Sequence, residues 1–367
     1  MLKKLITFII FFSMIQMPCE AFFVSGKSSI VICADTNQVL YGENQHKKMP
    51  MASTTKIMTA IVALEHGNTT DMVTVSENAS RQEGSSVYLR PGDKVSLSDL
   101  LYALMLNSGN DAAMAIAEHI SKTSEDFVLL MNEKATELGC RNTHFKNPSG
   151  LPDDDHYSTA YDMAIIMSYS IKNDEFAKIV ATKEHQIQTA DSITYLRNHN
   201  KLLWQYPTCI GGKTGFTKVA GRCFVSCAKK DGVSLVAVTL DAPDDWNDHK
   251  SLLDFGFEKA EMTPIVSQND ILCTRKIRGV RLNILSGDDV SIPLKNGRKR
   301  NVSIKVNLDE TINGEIHYGT RLGIGEIYVG NFLSGTVELI SGQSIQRGKQ
   351  NAFSDTFGSV FRNILLK

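Results

Sequence analysis

The chain changes rhythm twice. Ser29 to Ala34 and Gln38 to Tyr41 are short apolar runs around Asp35-Thr36-Asn37, the pattern of a β-hairpin. From Ser53 onward the apolar positions recur three and four residues apart. Pro50 stops regular structure, Ser53 is a good helix-starting residue, and Gly67 follows His66, so one helix is predicted from Ser53 to His66. A second stripe, Leu97, Leu100, Leu101, Leu104 and Met105, follows Ser96-Leu97-Ser98-Asp99, which resembles a capping box. Further helices are predicted from Asp111 to Ile120, from Thr123 to Leu138, from Thr159 and from Asp174 to Ala181. Met72 to Val75 and Ser86 to Leu89 read as extended, with a turn at Arg90-Pro91-Gly92-Asp93. Asn142 to Ser158 is polar and reads as loop.

The second change is to strands. Cys223 to Ala228 and Val233 to Leu240 flank the turn Lys229-Lys230-Asp231-Gly232, a hairpin that would lie beside the N-terminal pair. The fold class expected is therefore α+β: an antiparallel sheet with a helical cluster inserted between its first and last strands. Beyond about Thr263 nearly every run is a short strand between glycines, and Asn301 to Leu308 alternates strictly. A small all-β, sandwich-like domain is predicted there, with its boundary near Met262-Thr263-Pro264. The last stretch returns to helical spacing. Phe353, Phe357, Val360, Phe361, Ile364 and Leu365 share one face and Arg347, Lys349, Arg362 and Lys367 add positive charge, as in a helix lying on an anionic membrane surface.

The beginning of the chain changes the setting. Lys3 and Lys4 precede an apolar run from Leu5 to Met17, and Cys19-Glu20-Ala21 offers a small-residue cleavage site, the pattern of a secretory signal peptide. The expected division is 1–21 signal peptide, 22–262 main domain, 263–350 β domain and 351–367 amphipathic anchor, placing the mature protein on the outer face of the cytoplasmic membrane. The 367 residues carry a net charge of −1, which gives no global field for nucleic acid. Six cysteines remain after cleavage, at Cys33, Cys140, Cys209, Cys223, Cys227 and Cys273. Their spacing is irregular. Cys223 and Cys227 lie too far apart on one strand to bridge each other, so buried free thiols are expected.

The chemistry sits in three short motifs. Ser53 and Lys56 are three apart, so a helix sets them side by side and a neutral lysine there can act as base for the serine. Ser108-Gly109-Asn110 falls in a loop between two helices, and Lys213-Thr214-Gly215 precedes the Cys223 strand. Together they supply acyl transfer. Ser53 attacks, Lys56 takes its proton, and Ser108 relays a proton to the leaving nitrogen. Asn110 holds a substrate amide. Lys213 keeps Lys56 neutral and, with Thr214, holds a substrate carboxylate. Gly215 lets the substrate pair along the strand edge, and the Ser53 and Phe216 N–H groups form the oxyanion site. No cofactor or metal is called for: the nine histidines show no metal spacing. Gly212-Lys213-Thr214 is no phosphate loop, because position 207 is proline, and Gly26-Lys27-Ser28 fails likewise at Ala21. His249, near Asp244-Asp245-Trp246-Asn247-Asp248, is a candidate to flank the cleft.

With these motifs in this order, the chain resembles bacterial low-molecular-mass penicillin-binding proteins of the serine-type D-alanyl-D-alanine carboxypeptidase family. Arg90-Pro91-Gly92-Asp93, Asn142-Thr143-His144-Phe145, Tyr157-Ser158-Thr159-Ala160 and Asn198-His199-Asn200-Lys201-Leu202-Leu203 are also family-like. The resemblance implies a β-lactamase/transpeptidase-like catalytic domain, a C-terminal β domain and a terminal anchor. It implies removal of the terminal D-alanine from peptidoglycan stem pentapeptides, and acylation by β-lactams. The chain departs from the family at Ser149, where relatives often have histidine, and at His199, where some carry arginine near the substrate carboxylate. Ser-Gly-Asn in place of Ser-Asp-Asn, the extra β domain and the missing deacylation glutamate argue against a β-lactamase. A penicillin-binding wall protein or sensor that acylates without turnover is the other reading of the same residues.

Overall fold

The computed structural model describes residues 23–188, 193–277, 280–309, 315–345 and the backbone of 364–365. The predicted N-terminal hairpin is present as β1 (Ser28–Cys33) and β2 (Val39–Glu43). A 3-10 turn, Ala52–Thr55, then runs into α1 (Lys56–His66). Ser53 therefore lies inside a tight turn ahead of the α-helix and does not cap it. Its place is set by neighbouring hydroxyls: Thr54 Oγ1 donates to Met51 O at 2.6 Å, and Thr55 Oγ1 lies 2.8 Å from His156 Nε2.

The ribbon β3 (Met72–Thr74), α2 (Glu77–Ser80) and β4 (Lys94–Ser96) leads into α3 (Leu97–Leu106), capped by Ser96, whose Oγ accepts from Asp99 N. α4 (Asn110–Ser121), α5 (Ser124–Glu137), α6 (Ala160–Ser170) and α7 (Asp174–Ala181) complete the cluster. α1 packs against α3, α4, α5, α6 and α7, and its residues from Lys56 to Ala63 are all buried. The stretch Ser86 to Leu89, read as extended, joins no sheet. Its amides go instead to Asp111 at the start of α4, whose carboxylate accepts from Val87 N, Leu89 N and Ser86 Oγ at 3.0, 3.1 and 2.6 Å.

Several elements were not legible as such: β5 (Glu184–Gln188), β6 (Ile193–Arg197), the short α8 (Leu202–Gln205) and β7 (Cys209–Thr217). β8 (Gly221–Lys230) and β9 (Val233–Leu240) form the expected hairpin, followed by α9 (Asp245–Lys259). The main sheet has the order β2-β1-β9-β8-β7, so the last strands do lie beside the first and β7 is an edge. Helices cover both faces, the α1 cluster on one and α9 on the other.

The chain passes from α9 directly into β10 (Ala260–Val266), then β11 (Ile271–Ile277), β12 (Val280–Ser286), β13 (Val290–Lys295), β14 (Val302–Leu308), β15 (Arg321–Val329) and β16 (Phe332–Ser341). Val302, Ile304 and Val306 alternate inward as the sequence predicts, into a separate core with Leu282, Ile292 and Leu339. Lys295 ties this β region to the main sheet: its Nζ donates to Val39 O and Leu40 O, both at 2.9 Å.

Most of the terminal helix expected over 351–367 lies outside the described residues, as does the signal peptide. Ile364 and Leu365 are placed differently from that expectation. They form a two-residue strand, β17, on the outer edge of β14, whose backbone groups would otherwise lack a ladder partner there. No helix among the described residues is long and apolar enough to cross a membrane. The six described cysteines are free thiols; Cys33, Cys140, Cys223 and Cys227 are buried as expected, whereas Cys209 and Cys273 are partly exposed.

Candidate active site

Ser53, Ser85, Ser108, His199, Lys201, Thr214, Gly215, Phe216, Arg222, Asp245 and Trp246 line a cleft of about 370 Å³. It opens between the helical cluster and the β7 edge.

Two features force the Ser53 turn into position. Ala52 is held at φ 47°, a left-handed conformation costly for a residue with a Cβ. Gly150, at φ +88°, packs on it so closely that an added Cβ would stand 2.0 Å from Ala52 O. From the other side comes Gly215 of β7, where a Cβ would stand 2.8 Å from Ser53 N. Gly215 thus lets the strand backbone approach the turn, a reason beyond the substrate pairing expected of it. Phe216, the next residue, lines the same cleft as Ser53.

Lys56 Nζ lies 3.1 Å from Ser53 Oγ, 2.6 Å from Asn110 Oδ1 and 2.6 Å from Ser149 O. The lysine is fully buried, and burial pushes its pKa well below the ordinary range. The charge of Lys213 pushes the same way and that of Asp111 opposes. A neutral amine has two N–H groups and one lone pair. Asn110 Oδ1 and Ser149 O are pure acceptors here and take the two N–H groups, so the lone pair is left for the Ser53 hydroxyl proton. This is the geometry of a base already hydrogen-bonded to its nucleophile.

Each partner of Lys56 is itself anchored. Asn110 opens α4 and its Nδ2 donates to Glu83 O, which fixes which end of the amide faces the lysine. The Ser149 carbonyl belongs to a turn gathered by Asn147, whose Oδ1 accepts from Ser149 N, Gly150 N and Leu151 N. Thr59 Oγ1 of α1 donates to Pro148 O at 2.6 Å. His156 braces the same region. Its Nδ1 accepts from Lys146 N, so Nε2 carries the proton and donates to Thr55, and burial pushes its pKa down to about 4. The Asn147-Pro148-Ser149-Gly150 segment was read as loop; asparagine two residues ahead of a serine and a glycine was the available signal for a side-chain-stapled turn.

Ser108 has a left-handed backbone, φ 62°, and a buried Oγ without a hydrogen-bond partner. Asn110, expected in the same loop, is the first residue of the helix. Lys213 lies within β7, not ahead of a strand; it is buried, and burial pushes its pKa down to about 7. Its Nζ donates to Thr214 O at 2.9 Å. Thr214, Gly215 and Phe216 line the cleft with Ser53 and Ser108, whereas Lys56, Asn110 and Lys213 are buried and are not among its lining residues.

His199 lines the cleft too, and burial followed by the nearby Lys213 charge lowers its pKa. His249 does not flank the cleft. It is fully buried behind the sheet, 2.7 Å from Ser226 Oγ and 3.1 Å from Thr239 Oγ1. The α9 residues that do reach the cleft are Asp245 and Trp246, with Arg222 from β8. Among the described residues no group of histidine, cysteine and carboxylate side chains could hold a metal.

Comparison with known proteins agrees with this geometry. The family described as D-alanyl-D-alanine carboxypeptidase matches residues 16–244, and that described as penicillin-binding protein 5, C-terminal domain, matches residues 261–347. The chain is 36% identical over 311 residues to the D-alanyl-D-alanine carboxypeptidase DacF of Bacillus subtilis, covering 81% of this chain and 80% of the relative. It is 33% identical to DacC of Escherichia coli over 317 residues, covering 80% and 78%. Among solved structures, the D-alanyl-D-alanine carboxypeptidase DacD of Francisella tularensis superposes with a TM-score of 0.64 at 25% identity, covering 89% of this chain and 95% of that one. The enzyme of the same description from Mycobacterium tuberculosis gives 0.62 at 34%, covering 64% and 92%. With both matches in place and Lys56 in contact with Ser53 and Asn110, the chain belongs to the serine-type D-alanyl-D-alanine carboxypeptidase family of low-molecular-mass penicillin-binding proteins.

Proposed function

We propose that the protein is a serine DD-carboxypeptidase that removes the terminal D-alanine from peptidoglycan stem pentapeptides through an ester on Ser53, and that penicillin acylates the same hydroxyl. The observation that carries this reading is the Ser53–Lys56–Asn110 chain of contacts around a buried amine. Lys56 takes the Ser53 proton as Oγ attacks the penultimate D-alanine carbonyl. The oxyanion is met by the Ser53 and Phe216 N–H groups. Ser108, whose buried hydroxyl has no other partner, passes a proton to the departing D-alanine nitrogen, and water then cleaves the ester. Asn110 holds a substrate amide, Gly215 leaves the β7 edge open to the peptide backbone, and Thr214 with Lys213 receives the carboxylate.

In this reading residues 22–262 form the catalytic domain and 263–350 the β domain. The signal peptide exports the protein to the outer face of the cytoplasmic membrane, and 351–367 tethers it there. The support for the tether is the apolar face of Phe353, Phe357, Val360 and Phe361 and the basic residues of the terminal sequence, whereas Ile364 and Leu365 pair with β14.

The test is purified protein with a peptide ending in D-Ala-D-Ala, with free D-alanine followed over time. The reading requires catalytic release that Ser53→Ala abolishes, together with a single penicillin adduct on the peptide containing Ser53. A stable adduct without D-alanine release would instead make the protein a penicillin-binding sensor.

A further inference from the structure

The two-stranded ribbon of β5 and β6 packs by one face only. Ile187 and Leu196 on its inner face are buried in the main core. His185, on the same face, stacks on Tyr102 of α3 at 3.7 Å between ring centres, with Nε2 3.1 Å from Asp99 Oδ1. The outer face has three rungs of opposed residues: Glu184 with Arg197, Gln186 with Tyr195, and Gln188 with Ile193. All six are exposed, Tyr195 at 72% and Ile193 at 55%. Trp204 of α8 continues this face beyond Arg197. Its ring centre lies 5.4 Å from Arg197 Cζ and 5.9 Å from Lys183 Nζ, and the residue is 41% exposed. Exposed aromatic groups gathered on an anchored surface mark a binding face.

Two observations point to what covers it. The first is continuity with the cleft. Arg197 N donates to Asn107 Oδ1 at 3.0 Å and His199 N to Leu106 O at 3.2 Å, so the ribbon is fastened to the end of α3, next to Ser108. His199, which follows Arg197 by two positions, and Lys201 line the cleft itself. The second is the chemistry of the rungs. Successive rungs on one face are about 6.8 Å apart. Two of them set an apolar or aromatic side chain opposite a primary amide. A lipid surface or an aliphatic helix would call for an unbroken apolar face. A sugar strand fits the alternation, because its ring C–H groups pack on the negative face of an aromatic ring. The acetamido and hydroxyl groups at the sugar rim meet amides, which both donate and accept. Arg197 adds donors, since its ion pair with Glu184 is long, 3.8 Å, and open to water.

We propose that the outer face of the β5–β6 ribbon, with Tyr195 and Trp204 as stacking platforms and Gln186 and Arg197 as polar partners, binds the N-acetylated amino-sugar strand from which the stem peptide hangs. This rests on the reading of Ser53 as the nucleophile of a DD-carboxypeptidase. Holding the strand beside the cleft raises the local concentration of its peptide without touching the reacting bond. The effect therefore belongs in KM and not in kcat.

The experiment compares two substrates on the full-length protein: a soluble pentapeptide ending in D-Ala-D-Ala, and the same pentapeptide borne on a short uncross-linked glycan. With D-alanine release followed, the wild type is expected to show a KM about tenfold lower for the glycan-borne peptide. Tyr195→Ala should lose about threefold to tenfold of that preference, through KM alone. It should leave the free peptide and the rate of benzylpenicillin acylation within about twofold, which also checks that the variant folds. Tyr195→Trp should keep the preference. Binding is read directly by calorimetric titration with a β-1,4-linked N-acetylglucosamine oligomer, and Tyr195→Ala should weaken it by the same factor. Equal KM for the two substrates, a preference that Tyr195→Ala leaves unchanged, or an oligomer that does not bind overturns the proposal. Self-association that Tyr195→Ala abolishes assigns the face to a second copy of the chain and overturns it too. If the oligomer binds and Tyr195→Ala weakens it, but the wild type releases no D-alanine from either substrate, the sugar surface stands and the carboxypeptidase reading falls.

Discussion

The most direct test of how the nucleophile is held is Gly150→Ala. Ordinary van der Waals contact begins at 3.4 Å, and the new Cβ would stand 2.0 Å from Ala52 O and 2.4 Å from Ala52 C. The two backbones must part by roughly 1.4 Å before the methyl fits. The Gly150 turn cannot take up this movement alone, because Asn147 Oδ1 holds three successive amides of it, at Ser149, Gly150 and Leu151. The displacement therefore passes into Ala52 and the Ser53 amide that follows. Alanine also adopts φ near +88° at a cost of about 1–2 kcal/mol relative to glycine. A misplacement of about 1 Å at a reacting atom is worth about a hundredfold in rate. The expectation is a protein that folds, melts a few degrees lower, and forms the penicillin ester about a hundredfold more slowly. Rapid-quench mass spectrometry gives the rate and calorimetry the melting temperature. An acylation rate within about threefold of the parent would refute the claim that Gly150 sets the position of Ser53.

Three further outcomes are expected. Lys56→Ala should lose acylation by on the order of a hundredfold to ten-thousandfold with an unchanged far-ultraviolet spectrum, since the amine serves as base; near-normal acylation would remove it from the mechanism. Lys213 has a folded-state pKa of about 7, below its unfolded value of about 10.4, so the unfolded chain binds the extra proton between those limits and stability rises with pH across that window. Lys213→Met abolishes this term, so its stability advantage over the parent in urea should shrink steadily from pH 6.5 to pH 9.5 (~3 pH units of titration); a constant difference contradicts the assignment. Deleting residues 354–367 should release the exported protein from membranes and leave penicillin acylation intact, and a truncated protein that still sediments with membranes rules out the tether.

The sequence carried the site further than it carried the sheet. Ser53, Lys56, Ser108, Asn110 and Lys213 to Phe216 could be singled out as candidates because groups that would act together fall in short motifs whose spacing is readable without the fold. β7 was not, because Cys209-Ile210-Gly211-Gly212-Lys213-Thr214-Gly215 has three glycines and no alternation: a strand that must let other backbones approach sheds the side chains that announce strands. α9 was missed for the opposite reason. Its first turn, Asp245-Trp246-Asn247-Asp248, spends its residues on contacts to Arg222, Phe224 and Ser25, and its apolar face at Leu252 and Leu253 begins late. Ser53 itself was read as a helix cap, although its conformation is dictated by Gly150 and Gly215, nearly 100 and more than 160 positions away (~100 and ~160). No local pattern records contacts of that range.

The position of β7 at the margin of the sheet has a consequence for turnover. An open strand margin invites any extended chain to add itself, which is a hazard in most proteins. Here the margin is nine residues long, bulged between Cys209 and Gly211 and pressed at Gly215 against the Ser53 turn, so an incoming chain finds purchase over only a few residues. Such a grip reads direction and extension, because it is made by main-chain groups, and is nearly blind to side chains. If the stem peptide adds to this edge as proposed, it can vary along its length, provided that its end is right, and the shortened product would be let go.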